Sequence, residues 1–137
     1  MANAKTELTR AWLRKANRDL GSAKKLAEDS EPYFDTAIYH CQQTAEKAIK
    51  AYLVFHDIEF EKVHNLSVLI ESCTEIDSDF QTYADAADTL TPYATAFRYP
   101  NELFEDEPDT EQMDEAVELA EQILDFVLQK LPKNVHP

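Results

Sequence analysis

Arg98 is the residue whose position in the chain most clearly suggests chemistry. Residues 57–126 contain twenty aspartates and glutamates but only two lysines or arginines, Lys62 and Arg98. A guanidinium holds a phosphate or a carboxylate through two parallel hydrogen bonds, so an arginine in such a setting is a natural ligand for an anion. The alternative is a salt bridge between Arg98 and one of the many neighbouring acids. The sequence leaves both interpretations open.

A second group of polar side chains lies within residues 39–53, YHCQQTAEKAIKAYL. If the helix that carries this stretch is a neighbour of the segment that carries Arg98, an imidazole, an amide, a carboxylate and two amines border one cleft with the guanidinium. We therefore predict a ligand-binding site formed by Arg98 together with His40, Gln43, Glu46, Lys47 and Lys50. A solvated helix face is the competing interpretation, and a single helix histidine such as His40 is more often structural than functional.

Other patterns argue against a metal ion, a cofactor or a hydrolytic centre. Glu61 and His64 have the Glu-x-x-His spacing of di-iron helical bundles, but such sites need a second pair and two further carboxylates. The acidic stretch 102–109 lacks the ligand spacing and the central glycine of an EF-hand. A chain whose one glycine is Gly21 cannot build the glycine-rich loops of nucleotide-binding folds. We expect no metal and no cofactor, and we assign no catalytic residue.

Helices are the elements predicted to position the candidate site. Apolar residues recur at spacings of three and four over about 6–28, in a second segment that begins at Phe34 or Asp35, and in a short third segment from Leu66. The pattern returns over 80–97, with a bend expected at Pro92, and again after 109, where Asp109 and Gln112 have the spacing of a capping box.

The fold class that follows is all-α. We predict an up-and-down antiparallel helical bundle of four long helices plus one short helix, in a single domain of residues 1–137 with its core at about 8–131. Gly21, inside the first helix, indicates close approach of another helix backbone. The residues after Pro132 are predicted to fray.

Composition and charge restrict the function further. The formal net charge of −14 is unevenly spread, because residues 1–27 carry seven lysines or arginines and only two acids. The overall acidity opposes nonspecific nucleic-acid binding, although a local basic face can still bind RNA or a nucleotide. Cys41 lies on the apolar face of its helix and Cys73 follows Leu69 and Ile70, so both are predicted to be core residues. With no secretory signal and no apolar run long enough for a membrane span, we expect a cytoplasmic protein.

Three blocks of the chain together resemble the HEPN domain family: YHCQQTAEKAIKAYL (39–53), KVHNL (62–66) and LTPYATAFRYP (90–100). The likeness covers roughly residues 8–131. It implies a five-helix up-and-down bundle that is usually dimeric, is often encoded beside a minimal nucleotidyltransferase and is linked to toxin–antitoxin or defence systems. The chain lacks the glycine–serine signature of the nucleotidyltransferase, so the resemblance implies the helical partner.

Many members of that family resemble metal-independent ribonucleases with an Arg-x(4–6)-His motif, and the matching arginine here is Arg98. The positions where the histidine is expected hold Leu103, Phe104 and Glu105. The resemblance therefore implies a homodimeric binding or accessory protein for a nucleotide or a nucleotidyltransferase partner. A ribonuclease whose proton-transfer group comes from elsewhere, such as His40 or His64, is the alternative. A third interpretation is a purely structural interaction protein, in which Arg98 only ties together the acidic second half of the chain. The aromatic side chains near Tyr93, Phe97, Tyr99 and Phe104 are consistent with the dimer interface that the resemblance implies.

Overall fold

The computed structural model describes residues 3–60, 62–100 and 107–137. These residues form five α-helices: α1 (Ala4–Glu28), α2 (Phe34–Phe55), α3 (Leu66–Ile76), α4 (Ala84–Leu90) and α5 (Thr110–Lys130). Three 3₁₀ segments accompany them at Ser78–Tyr83, Thr91–Ala94 and Lys133–Val135, and no strand occurs within the described ranges. The prediction of an all-α helical bundle is confirmed.

Helix α2 is the central element of the bundle. It packs against α1, α3, α4 and α5, and its most extensive contact is with α1. Small side chains on its buried face, among them Ala45 and Ala48, let the neighbouring helices approach closely, and both are fully buried. Because α2 is covered on most sides, polar side chains that face its neighbours must find partners there.

The fourth helical segment is divided where a single long helix was expected. The α-helical part covers only Ala84–Leu90, with a 3₁₀ segment on either side of it. Pro92 has no N–H to donate to the carbonyl four residues earlier, so the α-helix ends at Leu90 and the chain tightens into Thr91–Ala94. The predicted bend is confirmed, and it leads into the turn that ends at Arg98.

Two other expectations are wrong. A Cβ atom placed on Gly21 meets no atom of the described residues within 4 Å, so none of the described helix backbones approaches this exposed position. The C-terminal tail does not fray, because Val135 is fully buried and His136 Nε2 lies 2.8 Å from the Leu128 carbonyl oxygen. By contrast, the capping box of α5 is present, with the Asp109 side chain accepting from the Gln112 amide.

The aromatic side chains expected at an interface fall into different environments. Tyr93 is buried in the core, Phe97 is half-buried against it, and Tyr99 is 64% exposed. Phe104 lies outside the described residues, as do Glu61, Leu103 and Glu105. Of the described helices, none has the length and apolar character that a membrane span requires.

Candidate functional site

The Arg98 side chain lies over the ring of Tyr39 on α2. Its guanidinium carbon is 4.2 Å from the centre of the Tyr39 ring and 5.8 Å from that of Tyr99. The Arg98 amide donates to the Thr95 carbonyl oxygen at 3.1 Å, which closes the turn after the 3₁₀ segment. No carboxylate within the described ranges forms a salt bridge with this guanidinium. Stacking on an aromatic ring leaves the N–H groups of an arginine free to bind an anion.

A cavity of about 220 Å³ opens beside this guanidinium. We call it the Arg98 cavity, and it is lined by Asp35, Thr36, Tyr39, His40, Phe97 and Arg98. Its volume is below the roughly 300–1,000 Å³ typical of sites for whole small molecules, so it suits a phosphate-sized group. Among the described residues of the lining, Asp35 is the one acid, and its carboxylate accepts the Thr36 amide at 2.8 Å. Arg98 and His40 supply the groups that attract an anion.

His40 is held in place by Asp19 of α1. His40 Nδ1 lies 2.8 Å from Asp19 Oδ1, and Lys47 Nζ lies 2.6 Å from Asp19 Oδ2. The carboxylate accepts only, so the proton between the two groups belongs on His40 Nδ1 and leaves Nε2 for another partner.

Burial alone raises the pKa of the Asp19 carboxyl, but the hydrogen bonds from His40 and Lys47, together with their charges, outweigh burial and hold that pKa below its ordinary value of 3.8. Asp19 is therefore ionised at neutral pH.

The other predicted residues form a second polar cluster further along α2. The buried Glu46 carboxylate accepts from Lys50 Nζ at 3.0 Å and lies 3.1 Å from His64 Nδ1. Its second oxygen accepts from Gln42 Nε2 at 3.0 Å, and Gln42 in turn accepts from Gln43 Nε2 at 2.6 Å. The buried carboxylate, amide and ammonium of this cluster are thus all paired, as buried polar groups must be.

The predicted single cleft is therefore divided into two places. His40 borders the Arg98 cavity, and Lys47 reaches it indirectly through Asp19. Gln43, Glu46 and Lys50 belong to the second cluster. His40 and Lys50 are separated along α2 by roughly 15 Å, at 1.5 Å per residue. The geometry brings together two of the six predicted side chains, Arg98 and His40, and leaves the binding role of all six as a prediction.

Comparison with known proteins places this bundle in a family. The family model for the HEPN domain matches residues 9–131. The chain belongs to the HEPN domain family. The structure is similar to that of ST0689, an archaeal HEPN homologue, with 31% identity, a TM-score of 0.70 and coverage of 89% of this chain and 96% of that chain. It is also similar to TT1696 from Thermus thermophilus, with 28% identity, a TM-score of 0.77 and coverage of 91% and 99%. No protein of curated function matches significantly.

The HEPN resemblance draws attention to the positions after Arg98. Leu103, Phe104 and Glu105 stand where the family's ribonucleases would have a histidine, and all three lie outside the described residues. Within the described part of the chain, His40 is the histidine that shares a cavity with Arg98. His64 instead contacts Glu46 in the second cluster.

Sequence reasoning missed Asp19 and Gln42 as parts of these clusters. Asp19 is only 9% exposed although it is charged, and it falls in the periodic inner face of α1 beside Leu20. A carboxylate three residues after the buried Ala16 and next to the buried Leu20 is the signal that could have identified it. Gln42 is fully buried on α2 and gives a similar signal.

The two cysteines have no place in either cluster. Cys41 and Cys73 are free and fully buried, as predicted for core residues. Burial raises the pKa of each thiol to about 12, with a smaller contribution at Cys41 from the charge of Glu121. No group of His, Cys, Asp and Glu side chains suited to a metal ion occurs within the described ranges.

Proposed function

We propose that this HEPN protein is a helical binding and accessory module that holds the phosphate of a nucleotide at the Arg98 cavity. The observation that carries the proposal is the Arg98 guanidinium stacked 4.2 Å over Tyr39, beside His40, with no described carboxylate in salt-bridge contact. A buried or satisfied arginine would have its donors occupied. Here Arg98 lines a cavity of phosphate size together with His40, whose Nε2 is left available by the contact of Nδ1 with Asp19.

Binding of ATP, GTP, short RNAs and inorganic phosphate to the full chain, measured by isothermal titration calorimetry, tests this proposal. Arg98→Ala is expected to weaken binding by about tenfold or more, since a charge-assisted hydrogen bond to phosphate contributes roughly 1.5–3 kcal/mol. Arg98→Lys should recover part of the affinity but not the paired geometry of a guanidinium. Arg14→Ala, which removes an exposed arginine of α1, is the matched control.

Two results would contradict the proposal. One is a wild-type protein that binds none of these ligands. The other is binding that Arg98→Ala leaves unchanged. If Arg98→Ala lowers the melting temperature while every binding assay remains as in the wild type, Arg98 is a structural residue and the protein is an interaction module.

The proposed biological setting is a homodimer that works with a minimal nucleotidyltransferase in a toxin–antitoxin-like pair. The support is the HEPN resemblance, since members of the family are often encoded beside such an enzyme. Co-expression with the product of the adjacent gene, followed by affinity purification, tests the partnership. Sedimentation equilibrium of the purified chain tests the dimer, and a monomer at all concentrations would contradict it.

A metal-independent ribonuclease is the second candidate function, and one contact favours it. His40 borders the same cavity as Arg98 and is oriented by Asp19, an arrangement that suits a histidine that accepts a proton. Incubation of the pure protein with total RNA in EDTA separates the two functions. Cleavage that both His40→Ala and Arg98→Ala abolish supports the ribonuclease, whereas intact RNA together with nucleotide binding supports the accessory module.

A further inference from the structure

A second cavity, of about 610 Å³, lies at the other polar cluster and is not part of the Arg98 cavity. We call it the Phe60 cavity, and it is lined by Lys50, Phe60, Lys62 and His64. Its volume falls within the range of sites that hold a whole small molecule. Of the four described side chains in this lining, three carry nitrogen donors, one is an aromatic ring and none is acidic. Such a lining favours a ligand that is both aromatic and anionic.

The donors of the Phe60 cavity are arranged by the buried Glu46. Lys50 is only 5% exposed, and its ammonium lies 5.2 Å from the centre of the Phe60 ring and 5.7 Å from that of Trp12. The Glu46 carboxylate balances the charge of the Lys50 ammonium, and its Oε2 also lies 3.1 Å from His64 Nδ1. The His64 side chain is 66% exposed, so its Nε2 is accessible. The buried pair thus fixes the imidazole at the rim without using its outer nitrogen.

Lys62 adds a second donor at the same rim. It is exposed and forms no salt bridge with any described residue. The Phe60 ring, which forms the aromatic side of the cavity, packs against Trp12 in a T-shaped contact with a centroid distance of 6.0 Å. An aromatic ring beside lysine and histidine donors is the combination with which proteins bind the bases and phosphates of single-stranded nucleic acid.

We propose that the Phe60 cavity binds one nucleotide unit, with its base against Phe60 and its phosphate held by Lys62 and His64. The unit comes either from a free mononucleotide or from single-stranded RNA, which present the same chemistry. This site is independent of the Arg98 cavity, because His40 and Lys50 are roughly 15 Å apart along α2. Loss of ligand binding at one of the two cavities therefore does not imply loss of binding at the other.

Trp12 provides a direct reporter for this cavity. It is the only tryptophan of the chain, and its ring is in contact distance of Phe60. Fluorescence titrations use the full chain carrying Arg98→Ala, so that the first site is silent. The probes are AMP, adenosine, inorganic phosphate and a hexa-adenylate RNA. AMP is expected to change the Trp12 emission, while adenosine and phosphate bind about tenfold more weakly because each supplies only half of the recognised chemistry.

Variants then assign the contacts. Lys62→Glu, at an exposed position, should weaken AMP binding by about tenfold or more, and Phe60→Leu should weaken AMP binding but not phosphate binding. Lys25→Glu, which makes the same charge change on α1, should leave binding unchanged. Thermal melts check that each variant is folded.

The relative affinities of the probes identify the source of the nucleotide unit or overturn the site. Tighter binding of the RNA hexamer than of AMP identifies single-stranded RNA as the source, and equal affinity identifies a free nucleotide. No change in Trp12 emission with millimolar AMP overturns the site. So does an affinity that Lys62→Glu leaves intact, or inorganic phosphate binding as tightly as AMP. Calorimetric binding lost with Arg98→Ala, in the absence of any Trp12 response, would support the first site alone.

Discussion

Asp19 Oδ1 on α1 lies 2.8 Å from His40 Nδ1 on α2, and this contact joins the two longest described helices beside the candidate site. The second oxygen, Asp19 Oδ2, accepts a hydrogen bond from Lys47 Nζ at 2.6 Å, so both oxygens of this nearly buried carboxylate have a partner. A single side chain of α1 thus supports the interhelical packing and also fixes the orientation of the His40 ring.

Asp19→Asn should lower the free energy of unfolding at pH 7 by about 1–3 kcal/mol, because the neutral amide keeps only one acceptor oxygen, without a negative charge, for His40 and Lys47. The folded-state pKa of Asp19 is lowered, so its contribution is complete above pH 3.8 and is lost as the pH falls through the folded-state value. Urea unfolding at pH 7, 5 and 3 measures the difference, which should shrink toward pH 3.

Asp125→Asn is the matched control, since Asp125 is an exposed acid of α5. It should change stability by less than about 0.5 kcal/mol. A difference between wild type and Asp19→Asn that stays constant or grows on acidification would contradict the role assigned to this carboxylate.

Glu46→Ala should be strongly destabilising, by about 3–5 kcal/mol, because it leaves the buried Lys50 ammonium without a counter-charge. Glu46 and Lys50 are 3% and 5% exposed, so water cannot replace the lost partner. The double variant Glu46→Ala with Lys50→Met removes both charges and should be more stable than Glu46→Ala alone. Urea unfolding of the wild type, Glu46→Ala, Lys50→Met and the double variant gives the coupling free energy between the two side chains. A double variant as unstable as the sum of the two single variants would count against the buried pair.

Gly21→Ala should stabilise the protein by about 1 kcal/mol. Gly21 lies within α1, and a Cβ atom there meets no neighbour within 4 Å, so alanine adds helix propensity without a clash. Thermal unfolding measures the effect, and Asn17→Ala at another exposed position of α1 shows how much an ordinary substitution contributes. A lower melting temperature for Gly21→Ala would show that something packs on this position in solution.

The thiols of Cys41 and Cys73 should resist alkylation in the folded protein. Both are fully buried, and burial raises the pKa of each to about 12, so the reactive thiolate is scarce at pH 8. Iodoacetamide labelling followed by mass spectrometry should show no adduct under native conditions and two adducts in urea. Rapid labelling of the native chain would mean that the core opens around one of these residues.

The sequence by itself determined the helices and most of their ends. Spacings of three and four mark the inner faces of α1, α2 and α5, Pro92 marks the end of α4, and Asp109 with Gln112 marks the start of α5. These signals are local, because each depends on neighbours within a few residues along the chain. The resemblance of three blocks to the HEPN family was likewise readable, and the family model confirms it.

Only the tertiary structure decided which polar side chains meet. The stripe His40, Gln43, Glu46, Lys47 and Lys50 looks continuous along one helix, yet partners from other elements divide it. Asp19 of α1 forms hydrogen bonds with His40 and Lys47, while His64, in the loop between α2 and α3, forms one with Glu46. An ion pair or hydrogen bond of a carboxylate depends on the distance between the two side chains in space. For residues eighteen or more positions apart in the sequence, such as Glu46 and His64, helix packing sets that distance.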